Sequence, residues 1–243
     1  MEKLSEEPTP ITQQDFAIGM GPAYTAGKYS CRLVGAGNEK KLAFMRIYKQ
    51  IPLIDTENEN WTVRKKQACG PRNHPELGAL KRFTENGCTA TPRLLGYEIG
   101  KQDKMDLVPG GYIIYLVWEK VTGDSLDIEQ FWMYPSTKRQ KIRKNFKKAY
   151  NQVLSFKYQP IFQTPTKIIV DSNDNVYVLL YLLQSQANNT QQNLRFRPGF
   201  PIPPRMERRL LRDVFLVLAP PSDDEDLPAL ADDVKSGPNG WKW

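Results

Sequence analysis

Histidine is almost absent from this chain. His74 is the sole one, and Cys31, Cys69 and Cys88 are few, widely spaced and without a CxxC pair. A structural zinc site needs a set of Cys and His ligands, usually in closely spaced pairs, so these residues compose no plausible zinc set. An odd number of scattered cysteines also argues against a disulfide framework, and a reduced, intracellular chain is expected. Long apolar runs are missing too. No segment approaches the ~20 apolar residues that a membrane-spanning helix requires. Met1 is followed by Glu2, Lys3, Glu6 and Glu7 rather than by an apolar signal core, so a cytoplasmic or nuclear protein is the expectation. On that ground Asn60-Trp61-Thr62 and Asn188-Asn189-Thr190 are chance matches to the glycosylation sequon.

What is present suffices for a sizeable core: 243 residues, 40% of them hydrophobic. The formal charge of +7 permits nucleic acid, an acidic lipid surface or an acidic protein as partner, but a solvated basic surface is the simpler expectation.

Residues 1–20 mix Glu, Pro, Thr and Gln without periodicity and are expected as a mobile lead-in. From Tyr24 two β-rich runs, GKYSCRLVGAG and LAFMRIYKQI, flank a polar turn and predict a hairpin. Gly19, Gly21 and Gly27 precede or open it. They would suit a phosphate-cradling loop, although loosely spaced glycines more often mark turns. Residues 55–73 are polar and loop-like, with a short helical turn over 61–67. Asn73 and Glu76 fit a capping box, and Pro75, Leu77, Leu80 and Phe83 predict a helix that stops at Asn86-Gly87. TPRLLGYEIG reads as a strand, and the continuous apolar run Tyr112 to Trp118 as a strand buried on both faces. After a short aromatic segment, Thr137 and Gln140 suggest a second capping box. Ile142, Phe146, Ala149, Tyr150, Val153 and Leu154 then form the apolar face of a long helix. Its other face carries Lys138, Arg139, Lys141, Arg143, Lys144, Lys147 and Lys148, expected to be solvated. Residues 167–170 and 176–180 read as a hairpin joined by Asp171-Ser-Asn-Asp-Asn. A Gln/Asn/Pro-rich stretch, a helix over 206–218 and an acidic segment from Ser222 complete the pattern.

In this order the residues resemble the protein-kinase-like superfamily, nearest to the aminoglycoside-phosphotransferase-like and kinase-like proteins of filamentous fungi. The resemblance spans residues 27–181. Its most specific piece, YLVWEKVTGDSL at 115–126, looks like the strand, gatekeeper and hinge that hold adenine, with Trp118 as gatekeeper and Glu119 to Val121 as hinge. The hairpin looks like the second and third strands of a kinase small lobe, and ELGALKRFTENGCTATPRLLGY like its regulatory helix and the next strand.

The resemblance implies an α+β, two-lobed protein-kinase-like fold. A lead-in over 1–20 would precede an N-lobe of antiparallel sheet plus helix and its hinge over 21–122. A reduced, mainly helical C-lobe would occupy 123–219 and an acidic tail 220–243. It also implies where phosphoryl transfer should find its groups: a third-strand lysine held by a helix glutamate, a catalytic-loop aspartate, and an asparagine and aspartate for magnesium. Here those positions read Arg46, Glu76, Phe162, Lys167 and Leu180. Leucine and phenylalanine offer no anionic oxygen to a metal, and lysine repels one. Catalytic and metal-binding residues are therefore expected to be lacking, with Phe162, Lys167 and Leu180 as degenerate positions. Arg46, Glu76, Trp118, Glu119 and Val121 are expected around a nucleotide cleft in which ATP is an optional ligand, not a cofactor.

A catalytically inactive, pseudokinase-like binding, regulatory or scaffold module with a protein partner is thus expected. The alternatives are an active small-molecule or protein phosphotransferase using rearranged acids such as Glu76 or Asp171, and a basic-helix binder of nucleic acid or acidic protein.

Overall fold

A computed structural model of the chain describes residues 1–35, 38, 41–71, 73–160, 165–179 and 182–184. It divides into two compact units, Met1–Leu77 with Arg93–Lys120, and Gly78–Pro92 with Val121–Trp243. The helix expected over 206–218 and the acidic segment lie outside the described residues. Among the described residues no helix is long and apolar enough to cross a membrane.

The first unit is built on a five-stranded antiparallel sheet of β1 (Glu2–Thr9), β2 (Tyr24–Arg32), β3 (Leu42–Gln50), β4 (Leu94–Lys101) and β5 (Tyr112–Glu119), in the order β1-β2-β3-β5-β4. The predicted hairpin is β2–β3, in unbroken register from Tyr24↔Gln50 to Arg32↔Leu42. In β5 the residues Tyr112, Ile114, Leu116 and Trp118 are buried, while Ile113, Tyr115 and Val117 are only half-buried. Burial on both faces, expected from the apolar run, is therefore corrected to burial on one. An antiparallel strand in a sheet covered on a single side shows this alternation.

The lead-in expected to be mobile is instead structured. Residues 2–9 form β1, paired with β2 from Glu2↔Ser30 to Thr9↔Tyr24, and α1 (Gln13–Ala17) follows, its first turn capped by the Thr12 hydroxyl. Seven of the eight β1 residues are exposed, so no apolar pattern announces the strand. Its backbone partners and the bond from Thr25 Oγ1 to Glu6 hold it (3.0 Å). The amides of Gly19 and Met20 are donated to the carbonyls of Phe16 and Asp15 at the end of α1, and Gly27 lies within β2. Gly19 thus ends a helical turn, whereas Gly27 is a strand residue rather than the turn residue expected. A second helix, α2 (Trp61–Lys66), is capped by the side chain of Asn60, the first residue of one sequon. α3 (Pro75–Glu85) falls where predicted.

The second unit contains α4 (Ile128–Met133), capped by Asp127, and the long α5 (Ser136–Ser155). Its strands are β6 (Asp124–Ser125), β7 (Tyr158–Pro160), β8 (Ile168–Val170), β9 (Val176–Val178) and β10 (Leu182–Gln184), arranged as β6-β8-β9 and β10-β7. The α5 stripe Ile142, Phe146, Ala149, Tyr150 and Val153 packs with Phe83, Phe131, Ile168, Val176 and Val178 in one core. Pro135, not Thr137, occupies the cap of α5, and no side chain caps it. Proline at that place pre-sets the extended backbone but has no side-chain acceptor to offer.

Two members of the expected solvated face point inward. Arg139 and Arg143 are 3% and 1% exposed. Arg139 donates to the carbonyls of Trp132 and Tyr134, and the Arg143 guanidinium lies 5.3 Å from the Phe131 ring and 5.6 Å from Trp132. The planar, weakly hydrated guanidinium stacks on rings that an ammonium would suit less well.

Candidate functional site

Arg46 stands at the middle of β3, opposite Lys28 on β2 and Leu116 on β5, so all three share one face of the sheet. Its Nε lies 3.1 Å from Oε2 of Glu76 in the first turn of α3. The same oxygen accepts the Tyr48 hydroxyl at 2.6 Å. Arg46 and Glu76 expose 21% and 14% of their side chains, so water screens this pair only partly. Glu76, expected as one side of a capping box, is thus held by two side chains of β3.

Aromatic rings frame the pair. Trp118, 5% exposed, faces Phe44 across the β3–β5 ladder with centroids 6.1 Å apart, and the Arg46 guanidinium lies 5.8 Å from the indole. Beside it His74 stacks on Tyr48 at 3.8 Å and meets Tyr24 edge-on at 5.0 Å. Burial, reinforced by the Glu76 carboxylate, drives the Tyr48 phenol far above its ordinary pKa. A phenol so held is a hydrogen-bond donor at neutral pH, not a base. Lys28 Nζ sits 4.3 Å above the Phe44 ring on the same face.

The remaining expected positions stand elsewhere. Glu119 ends β5, where its N–H donates to Arg93 O at 3.0 Å and its carboxylate accepts from Arg93 N at 2.9 Å. The amide of Glu119, expected in a hinge, is therefore engaged with protein backbone. Val121 belongs to the second unit, as does Lys167, which closes a 3-10 turn (Pro165–Lys167) and accepts from Leu179 N at 2.7 Å through its carbonyl. Phe162 and Leu180 lie outside the described residues. Asp171 Oδ1 accepts from Asn173 N and Asn175 N, both at 2.8 Å, and Oδ2 from the Asn175 amide. It is a turn aspartate serving its own hairpin.

Sequence reasoning missed the Tyr24–His74–Tyr48 stack and the part Tyr48 plays. The available signal was period two on β3, which puts Tyr48 on the face of Arg46. Among the described residues no group of three or more His, Cys, Asp or Glu is placed to hold a metal ion.

No protein-family model matches the chain, and no curated protein matches it significantly. Among solved structures it is similar to the kinase PK-1 of Cydia pomonella granulovirus, at 11% identity and a TM-score of 0.39 over 77% of this chain. It is also similar to WbdD, at 12% identity and 0.41 over 90%. The match spans 55% of the viral kinase and 37% of WbdD. Both superpositions are too loose for fold or activity to carry over.

Proposed function

We propose that this chain is a kinase-like binding module that does not transfer phosphoryl groups. The observation that carries this is the state of Arg46. On the third strand, where a kinase-like transferase has a lysine to reach phosphate oxygens, stands a guanidinium tied at 3.1 Å to Glu76, whose same oxygen also takes the Tyr48 hydroxyl. A transferase would also hold its strand cation with a glutamate; what differs here is the planar guanidinium, which meets phosphate oxygens with another geometry than the point charge of a lysine. The buried indole of Trp118 stands against this guanidinium.

The rearranged acids of an active transferase have other work. Glu76 is held by Arg46 and Tyr48, and Asp171 by its own turn. At the remaining catalytic positions the sequence has Phe162, Lys167 and Leu180. A module of this kind would act on a protein partner, with nucleotide as an optional ligand gripped without magnesium.

The test is ATP turnover and nucleotide binding by the purified protein, with and without magnesium. No turnover is expected, and any binding should be indifferent to the metal. Turnover that disappears in Glu76→Gln would end this proposal.

A further inference from the structure

The second unit holds a cavity of about 210 Å³ lined by Thr89, Asn145, Lys148, Gln152, Asn175 and Tyr177 over a floor of Ala149 and Val176. Residues 141, 145, 148 and 152 recur at helical spacing, so they form one stripe of α5. That stripe is anchored at both ends. Lys141 reaches Asp174 Oδ2 at 2.9 Å and the Asn145 amide donates to Asp174 O at 2.8 Å, while Gln152 Oε1 accepts from the Thr89 hydroxyl at 3.2 Å.

These bonds orient the amides before any ligand arrives. The Thr89 bond uses the oxygen of Gln152 and leaves its NH2 group as the donor end. Asp171 and Asp174, the acids of the adjacent turn, are engaged: Asp171 accepts from its own turn, and Asp174 pairs with Lys138 and Lys141. Lys148, in the middle of the stripe, is paired with no carboxylate among the described residues.

We propose that this cavity is an anion site for a phosphate group, free or at the end of a small molecule. A volume of about 210 Å³ equals roughly seven waters at ~30 Å³ each and lies below the ~300–1,000 Å³ of drug-sized pockets. It suits a compact head group rather than a whole nucleotide. The donors that the bonds above leave over are Lys148 and the Gln152 NH2 group, both on α5. An ammonium attracts charge without dictating a planar fork, so this pair suits a tetrahedral oxyanion better than a flat carboxylate. The site is distinct from the Arg46 cluster and does not depend on the proposed absence of phosphoryl transfer.

The experiment titrates the full chain with inorganic phosphate, and in parallel with acetate, at constant ionic strength, following amide chemical shifts of residues 145–152 and 175–177. Phosphate should move these signals in a saturable way and acetate more weakly. Lys148→Gln should lose about tenfold in affinity or more, the scale of one hydrogen bond from a charged group. Gln152→Leu should weaken binding while keeping the charge, and Lys144→Gln, outside the cavity lining, should change little. Saturation absent in the wild type, acetate as strong as phosphate, or equal losses in Lys148→Gln and Lys144→Gln would each overturn the assignment. The last would show a diffuse basic face.

Discussion

Replacing Tyr48 by phenylalanine removes one hydroxyl and leaves Glu76 with Arg46 alone. A hydrogen bond to a charged, partly buried group contributes about 1.5–3 kcal/mol, so Tyr48→Phe should lower the unfolding free energy by about that much in urea titrations. It should also alter the alkaline limb of stability. The phenol has an ordinary pKa of 10.0 and a higher one when folded. Below its ordinary value both states keep the proton and the stabilisation is complete. Above it the unfolded chain binds fewer protons than the folded one, so stability falls as pH rises. The wild type should lose stability above pH 10.0 more steeply than Tyr48→Phe, as unfolding midpoints across that range would show. Arg46 and Glu76 were legible as a pair, because a strand cation and a helix acid are placed by a shared resemblance. Tyr48 was not, since a tyrosine in a strand is ordinary until the partner of its hydroxyl is known.

At the level of elements, β6 and β8 meet at a point with no room for a side chain. Gly123 has φ +109°, and a Cβ there would stand 2.4 Å from the carbonyl oxygen of Val170. Gly123→Ala should therefore combine backbone strain of about 1–3 kcal/mol with a clash against backbone, and thermal unfolding should show a clear loss of stability. Sequence alone marked Gly123-Asp124 only as a break. The residue pattern placed β2, β3, β4, β5, α3, α5 and the β8–β9 hairpin, the strands through β-rich or apolar runs between turn signals and the helices through an apolar stripe. It missed β1, which buries almost nothing and exists through its ladder with β2. It also misjudged the cap of α5, where capping chemistry at Thr137 and Gln140 lost to the backbone preference of Pro135.

For the molecule as a whole, a formal charge of +7 does not by itself name a partner. On α5 two of the arginines are buried, and Lys138 and Lys141 are matched by Asp174. Binding to heparin or mixed-sequence duplex DNA should accordingly be weak. It should disappear near 0.15 M salt, where screening acts within about 8 Å, as retention on a heparin column would measure. Tight binding there would revive the basic-helix alternative.

By itself the sequence determined most of the strands, the two main helices and the apolar stripe of α5, because these are set by local spacing, while Arg46 and Glu76 were singled out by the resemblance. Tertiary structure alone decided that one oxygen of Glu76 would take both Arg46 and Tyr48, that Arg139 and Arg143 would turn inward onto aromatic rings, and that Lys148 would border a cavity. Each of these depends on which groups distant in the chain arrive at the same place, and on whether burial there leaves a charge a partner.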